Sequence, residues 1–385
     1  MKLLTTFFLL LAALALQAQD TEFVKGADIG WLPQLERRGE YTLVDARGLP
    51  TEGHDLLKQM DMTAVRIRVW VNPKPDPKDG VAYCGIDDVV RKAVRAKDKG
   101  MDVMIDFHYS NWWADPGKQI IPKEWAQCDI QQLCDSMAAH TIQTLSALKS
   151  AGVQPRWIQV GNEIAPGFMH PMGNAKERPR EFARLFKTGY EACKKIFPQA
   201  QVILHIDNGY NLERTTKIID ILKANGADFD LLGWSLYPAM NWVTNEVDPN
   251  WQVKVDQCIA NSKAVFERYG KEAMLVEVGM PDKDEAVGRD CILYIIRNRG
   301  EHIHGIFWWE PLTTPDVHYT MGALRCYGGN KYGPNEALKA FAADSKDPAK
   351  RYLPKLTIGT PAPEIALPLY NSTKTVRLSD YRGSY

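Results

Sequence analysis

The 385-residue chain has no excess of either charge, because 47 Lys and Arg balance 47 Asp and Glu. That balance supplies no overall field to hold nucleic acid or an anionic membrane surface, and it permits a neutral ligand. The seven cysteines (Cys84, Cys128, Cys134, Cys193, Cys258, Cys291 and Cys326) include no CxxC pair, which removes the usual spacing of a zinc or dithiol site. Their odd number leaves at least one thiol unpaired; Cys128 and Cys134 are near enough to pair locally, and Cys193 reads as a small core residue. The apolar stretch Leu3–Leu16 is too short to span a membrane comfortably. With Lys2 before it and Ala18 after it, residues 1–19 read as an export signal, the alternative being a buried first helix. No cysteine near the cleavage point offers a lipid anchor. The expectation is a monomer without a membrane span, secreted or held in the periplasm or at the cell surface.

What is present is an alternation. Short apolar runs fall at 23–30, 64–71, 102–109, 157–164, 201–208, 231–238, 273–280 and 305–311, many of them rich in β-branched or aromatic residues. Such runs suit strands buried on both faces. Helical periods separate them: Ile86, Val89, Val90, Ala93 and Val94 recur at spacings of three and four before Gly100, and Pro179 opens another. Gly226, Gly270 and Gly300 close three more. Eight strands alternating with eight helices predict an α/β fold, a (β/α)₈ TIM barrel forming a single catalytic domain over 20–344, with a doubly wound sheet as the alternative. Residues 345–357, rich in Lys and Pro, read as a linker, and 358–385 are too few to build a core.

In barrels of this kind chemistry gathers at the C-terminal ends of the strands. Here those ends carry Arg66, Arg68 and Trp70; Asp106, His108 and Tyr109; Asn162 and Glu163; His205, Asp207 and Asn208; Trp234 and Tyr237; Glu277; and Trp308, Trp309 and Glu310. A buried carboxylate is costly unless paired or used. Glu163 on strand 4 and Glu277 on strand 7 face each other across an eight-membered ring, and hydrolysis of a glycosidic bond needs one carboxyl group that holds a proton and one that is ionised. Trp112, Trp113, Trp242 and Trp309 fall in loops or at a strand end, where flat rings can stack on sugars. Trp309 reads as a floor beneath the sugar, whereas Trp242 suits loop packing as well as stacking. His302 and His304 sit at the opposite face, before strand 8 and without an evident third ligand, so no metal is expected there.

Several segments resemble glycoside hydrolase family 53, the endo-β-1,4-galactanases of the retaining (β/α)₈ clan. They are GADIGWLPQLERRG (26–39), VRIRVWVNP (65–73), DFHYSNWWADPGKQ (106–119), IQVGNEI (158–164), WSLYP (234–238), EVGMP (277–281) and FWWEP (307–311). The resemblance covers roughly 23–343. It implies that Glu163 is the acid/base and Glu277 the nucleophile, with carboxyl groups about 5–5.5 Å apart. It further implies that Asn162 binds the sugar 2-hydroxyl, that Arg66 or Arg68 lies beside Glu277, and that Tyr237 donates to the same carboxylate. His108, Trp112, Trp113, Asp207 and Trp309 complete the expected sugar-binding set. The implied substrate is β-1,4-galactan or a related plant polysaccharide such as arabinogalactan, and no cofactor is implied. Asp282 and Asp284 follow strand 7 where some relatives bind calcium, but PDKDE is shorter and poorer in oxygen ligands, so no required metal is predicted. Leu236 and Val276 depart from the family's Tyr-rich strand 6 and Thr-Glu, which leaves mannan or cellulose as alternative substrates. A catalytically silent carbohydrate-binding barrel is the alternative of a different class. The tail IGTPAPEIALPLYNSTKTVRLSDYRG resembles the opening of a thioredoxin-like domain and stops before any redox cysteine.

Overall fold

The computed structural model describes residues 23–39, 41–241, 246–313 and 319–347, with the backbone of two short strands at 366–368 and 375–377. The expected export signal, Trp242 and most of the expected linker lie outside these residues.

Eight parallel strands close into a barrel: β1 (Val24–Asp28), β2 (Ala64–Val69), β3 (Asp102–Phe107), β4 (Trp157–Val160), β5 (Gln201–Ile206), β6 (Leu231–Leu236), β7 (Ala273–Val278) and β8 (Ile303–Trp308). Each pairs with its sequence neighbours, and β1 pairs with both β2 and β8, so the sheet has no edge. The ring is the (β/α)₈ barrel expected from the alternation, and the doubly wound alternative is excluded.

The outer layer comprises α1 (Leu32–Arg38), α2 (Gly53–Gln59), α3 (Ile86–Asp98), α4 (Ile130–Ser150), α5 (Pro179–Ile196), α6 (Leu212–Ala224), α7 (Trp251–Tyr269), α8 (Glu285–Asn298) and α9 (Glu336–Lys339). The β1–β2 connection carries two helices, one more than strict alternation requires. Helix α4 starts on a capping box: Asp129 accepts from the Gln132 backbone, and Gln132 reaches back to the Asp129 N–H. Helix α7 ends at Gly270, whose φ of 66° is a left-handed conformation that a side chain would strain.

Two apolar layers hold the barrel. Inside it, Val24, Ala64, Met104, Trp157, Ile203, Met274, Val276 and Phe307 fill the lower part. Outside it, strand residues such as Ile67 and Val69 pack on helix faces that include Leu133, Met137 and Leu145 of α4 and Phe182 and Phe186 of α5. Each large side chain so buried contributes roughly 1.5–3 kcal/mol. Inward positions recur every second residue, and along β2 they read Ala64, Arg66, Arg68. The inner surface therefore changes from apolar to charged toward the C-terminal end.

The strands stop two or more residues before the apolar runs do. Just beyond five of them stands a non-glycine residue with left-handed backbone: Asn72 (φ 45°), Tyr109 (φ 49°), Glu163 (φ 50°), Asn208 (φ 56°) and Glu310 (φ 51°). Such conformations cost energy and cluster at functional sites. Strand β8 begins earlier than the reading of the sequence has it, so His304 lies within the strand.

All seven cysteines are free, Cys128 and Cys134 included. Residues 352–385 form a separate unit, in which Ala366–Pro368 pairs antiparallel with Thr375–Arg377.

Candidate active site

Arg66, fully buried on β2, organises the barrel mouth from below. Its Nη1 lies 3.0 Å from Asp28 Oδ1 and 2.8 Å from Glu277 Oε1, and its Nη2 lies 2.9 Å from Asp106 Oδ2. Nη2 also donates to Gln159 Oε1 (3.0 Å) and Asn162 Oδ1 (2.8 Å). Burial alone would raise the Asp106 carboxyl, but Arg66 and then His108 outweigh it and hold the group below its usual range. Asp28, though also paired with Arg66, is pushed well above the ordinary carboxylate value by burial, with the charges of Glu277, Glu310 and Asp106 adding to the rise.

Glu277 reaches this cation through an irregularity. Period-two alternation places Met274, Val276 and Val278 inward, yet Val278 packs in the outer apolar layer. The ladder to β6 shifts register between Leu275 and Glu277, and such a bulge re-aims the side chains beyond it. Glu277 thus follows Val276 inward, where its Oε2 accepts from the Tyr237 hydroxyl at 2.9 Å.

Glu163 comes from the other side. Gly161 (φ 79°) admits the turn after β4, since a Cβ there would lie 2.5 Å from Ile164 Cγ2. The Glu163 backbone N–H donates to His205 Nδ1 at 3.2 Å, so that ring carries its proton on Nε2 and donates to Ser235 Oγ at 2.8 Å. The Ser235 hydroxyl bonds the Glu163 carboxyl and lies 3.5 Å from Glu277 Oε2. One carboxylate oxygen each of Glu163 and Glu277 and a nitrogen of His205 all lie within 4.8 Å of one another. Burial and then the negative charge of Glu277 drive the Glu163 carboxyl well above its ordinary range. Burial and then Arg66 push the His205 imidazole well below its own, keeping it neutral. The three groups could in principle offer ligand atoms to a metal, but Arg66 already occupies Glu277 Oε1 and His205 Nε2 faces Ser235.

A cavity of about 430 Å³ opens between the two carboxyl groups, lined by residues including His108, Trp113, Asn162, Asp207, Asn208, Tyr237, Trp309, Tyr319 and Met321. Most of the residues singled out in the sequence therefore meet, with four corrections. Arg68 faces inward like Arg66 but pairs with Glu310 rather than Glu277, and it is almost wholly buried. Trp112 is exposed and rests on Trp70, outside the cavity lining. Trp234, Trp308 and Tyr109 are core residues, the two indole N–H groups donating to Thr215 Oγ1 and the Met321 carbonyl. His108 borders the cavity but spends both ring nitrogens on the protein, Nδ1 accepting from the Ala114 N–H and Nε2 facing Asp106.

Asp207 lines the cavity while its Oδ1 accepts from Arg214 Nε at 2.9 Å. Asn162 donates one Nδ2 hydrogen to the Ala114 carbonyl, which leaves the other available. At the opposite face, His302 and His304 do have an acidic neighbour: both approach Glu272 Oε2, at 3.1 and 3.0 Å. Asp284 caps α8 by accepting from the Val287 N–H. Sequence reasoning missed Asp28, Gln159, Ser235 and Tyr319. A polar residue at an inward strand position was the signal for the first three, whereas the sequence around Tyr319 carries no periodic pattern.

The family model for glycosyl hydrolase family 53 matches residues 24–292. An endo-β-1,4-galactanase of Bacillus subtilis is 29% identical over 372 residues, spanning 86% of this chain and 82% of that protein. An arabinogalactan endo-β-1,4-galactanase of Humicola insolens is 28% identical, spanning 83% of this chain and 97% of its own. Among solved structures, the family 53 catalytic domain of Ignisphaera aggregans superposes with a TM-score of 0.71 at 25% identity, covering 84% of this chain and 97% of that domain.

Proposed function

The chain belongs to glycosyl hydrolase family 53, and from that membership together with the paired carboxyl groups we propose that it hydrolyses β-1,4-galactan internally, with retention of anomeric configuration. The observation that carries the reading is the approach of Glu163 and Glu277, with one carboxylate oxygen of each within 4.8 Å of the other, from two staves of the barrel separated by β5 and β6. A separation of this order suits a carboxylate that attacks the anomeric carbon directly, since an inverting pair stands roughly 6.5–9.5 Å apart.

Glu163 is the acid/base. Its raised pKa keeps a proton on it near neutral pH, and that proton passes to the glycosidic oxygen as the bond to the anomeric carbon breaks. Glu277, steered by Arg66 and Tyr237, supplies the carboxylate oxygen that bonds the anomeric carbon. Once that ester forms, the negative charge beside Glu163 is gone. Glu163 then takes a proton from an incoming water, which releases the sugar and frees Glu277. The spare N–H of Asn162 addresses the 2-hydroxyl, and Trp113 and Trp309 provide apolar faces for the pyranose rings.

The leader at 1–19 fits the same reading, because a polymer substrate is met outside the cell; N-terminal sequencing of the mature protein tests export. The substrate is tested by sugar release from β-1,4-galactan, mannan and cellulose. Turnover of galactan with shorter galacto-oligosaccharides as products is expected, and turnover of mannan or cellulose alone rejects the substrate. Binding of galactan without any hydrolysis supports the silent barrel.

A further inference from the structure

Four segments of the family pattern, GADIGW (26–31), RIRVW (66–70), NWW (111–113) and FWWEP (307–311), converge on an ion pair that the catalytic step does not use. Arg68 and Glu310 are 1% and 2% exposed. Glu310 also accepts the Trp31 N–H through both oxygens, at 3.2 and 3.1 Å. The guanidinium carbon of Arg68 stands 4.3 Å from the ring centroid of Trp113, 5.5 Å from that of Trp31, 5.7 Å from Trp70 and 5.9 Å from Trp309. Its Nε is buried without a hydrogen-bond partner, so the aromatic faces are what that side of the cation has. Gly30 makes room for it: a Cβ there would lie 2.2 Å from the guanidinium.

A buried ion pair is a poor source of stability, because well-packed apolar residues in its place are often as good or better. This pair instead fixes geometry. Glu310 immediately follows Trp309 and holds the left-handed turn (φ 51°) that ends β8, while Arg68 lies against Trp113. Trp113 and Trp309 both line the catalytic cavity, and Trp31 wedges edge-on against each, at 5.6 and 5.2 Å.

We propose that Arg68 and Glu310 are positioning residues for the sugar-stacking wall, setting affinity for the polysaccharide rather than the reactivity of Glu163 and Glu277. The inference rests on the proposed hydrolysis of a polymer in this cavity. It separates the two arginines of β2: Arg66 touches the nucleophile, and Arg68 acts only through tryptophan.

Arg68→Lys keeps a cation for Glu310 but lacks the flat face, and Arg68→Met removes both. The test is kcat and KM on galactan, with the pH profile of kcat/KM and the Tm. A wall left unheld must be ordered when the sugar binds, and an ordering cost as large as the lost cation–π contact corresponds to about a threefold to thirtyfold change in affinity. Arg68→Lys is expected to raise KM by that factor, with kcat within about twofold of wild type and both pH limbs unmoved. Arg68→Met is expected to raise KM further. A merely structural role lowers Tm and leaves KM of the folded enzyme unchanged, which overturns the proposal; so does a fall in kcat with displaced pH limbs. If Arg68→Met does not fold, Arg68→Lys alone decides. If the wild type acts on another polymer and not on galactan, the substrate reading fails, and the same KM comparison on that polymer still tests the wall.

Discussion

The Arg66 guanidinium meets Glu277 at 2.8 Å while the same side chain holds Asp28 and Asp106, so a single buried cation serves three carboxyl groups. Removing one partner of a buried ion cluster leaves charge uncompensated, at a cost of about 3–5 kcal/mol. Arg66→Met is therefore expected to lose that much unfolding free energy at neutral pH, measured in denaturant, along with nearly all turnover. Asp106 is held below its ordinary range chiefly against burial by Arg66, so its stabilising contribution exists above the unfolded-state value and fades as pH falls. The deficit of the variant should shrink below about pH 4. A deficit independent of pH would contradict the electrostatic account.

Glu163 makes the opposite prediction. Its folded-state pKa is raised by burial and by Glu277, so stability is present below the unfolded value, about 4.3, and is lost as pH rises through the folded one. Glu163→Gln carries no titrating group. Its Tm should match that of the wild type near pH 4 and exceed it increasingly toward pH 8, while hydrolysis of galactan is lost. A wild type more stable than the variant at pH 8 rules this out.

Ser235 stands between His205 and the two carboxyl groups, and its hydroxyl favours the ionised form of Glu163. Ser235→Ala removes that bond, so the Glu163 carboxyl should rise further and the basic limb of the kcat/KM profile should move to higher pH. A limb that stays in place, or moves down, shows that Ser235 does not address the acid/base.

The barrel was legible because the strand runs are short and mostly apolar, and several helices carry a start or stop residue, as with Pro179 and Gly270. Glu163, Glu277, Trp113 and Trp309 were legible because acidic and aromatic side chains stand out at the ends of apolar runs. What sequence could not give was direction. The bulge at Leu275–Glu277 reverses which side of β7 faces inward, and no residue there signals it. Arg66 and Arg68 share one inward-facing row and differ in role only because Glu277 lies beside one and Glu310 beside the other. Likewise His108 looks available in the sequence, and only the folded loop brings the Ala114 N–H to its free nitrogen.

The division of labour between Glu163 and Glu277 is tested most directly by azide rescue of the two alanine variants on an aryl β-galactoside or galacto-oligosaccharide with a good leaving group. With Glu277→Ala, azide enters from the vacated nucleophile side, and the α-glycosyl azide is predicted. With Glu163→Ala, the leaving group departs with little protonation, the glycosyl-enzyme accumulates, and azide replaces water to give the β-glycosyl azide. The two anomers appearing with the variants exchanged, or no rescue of either variant, would contradict the assignment.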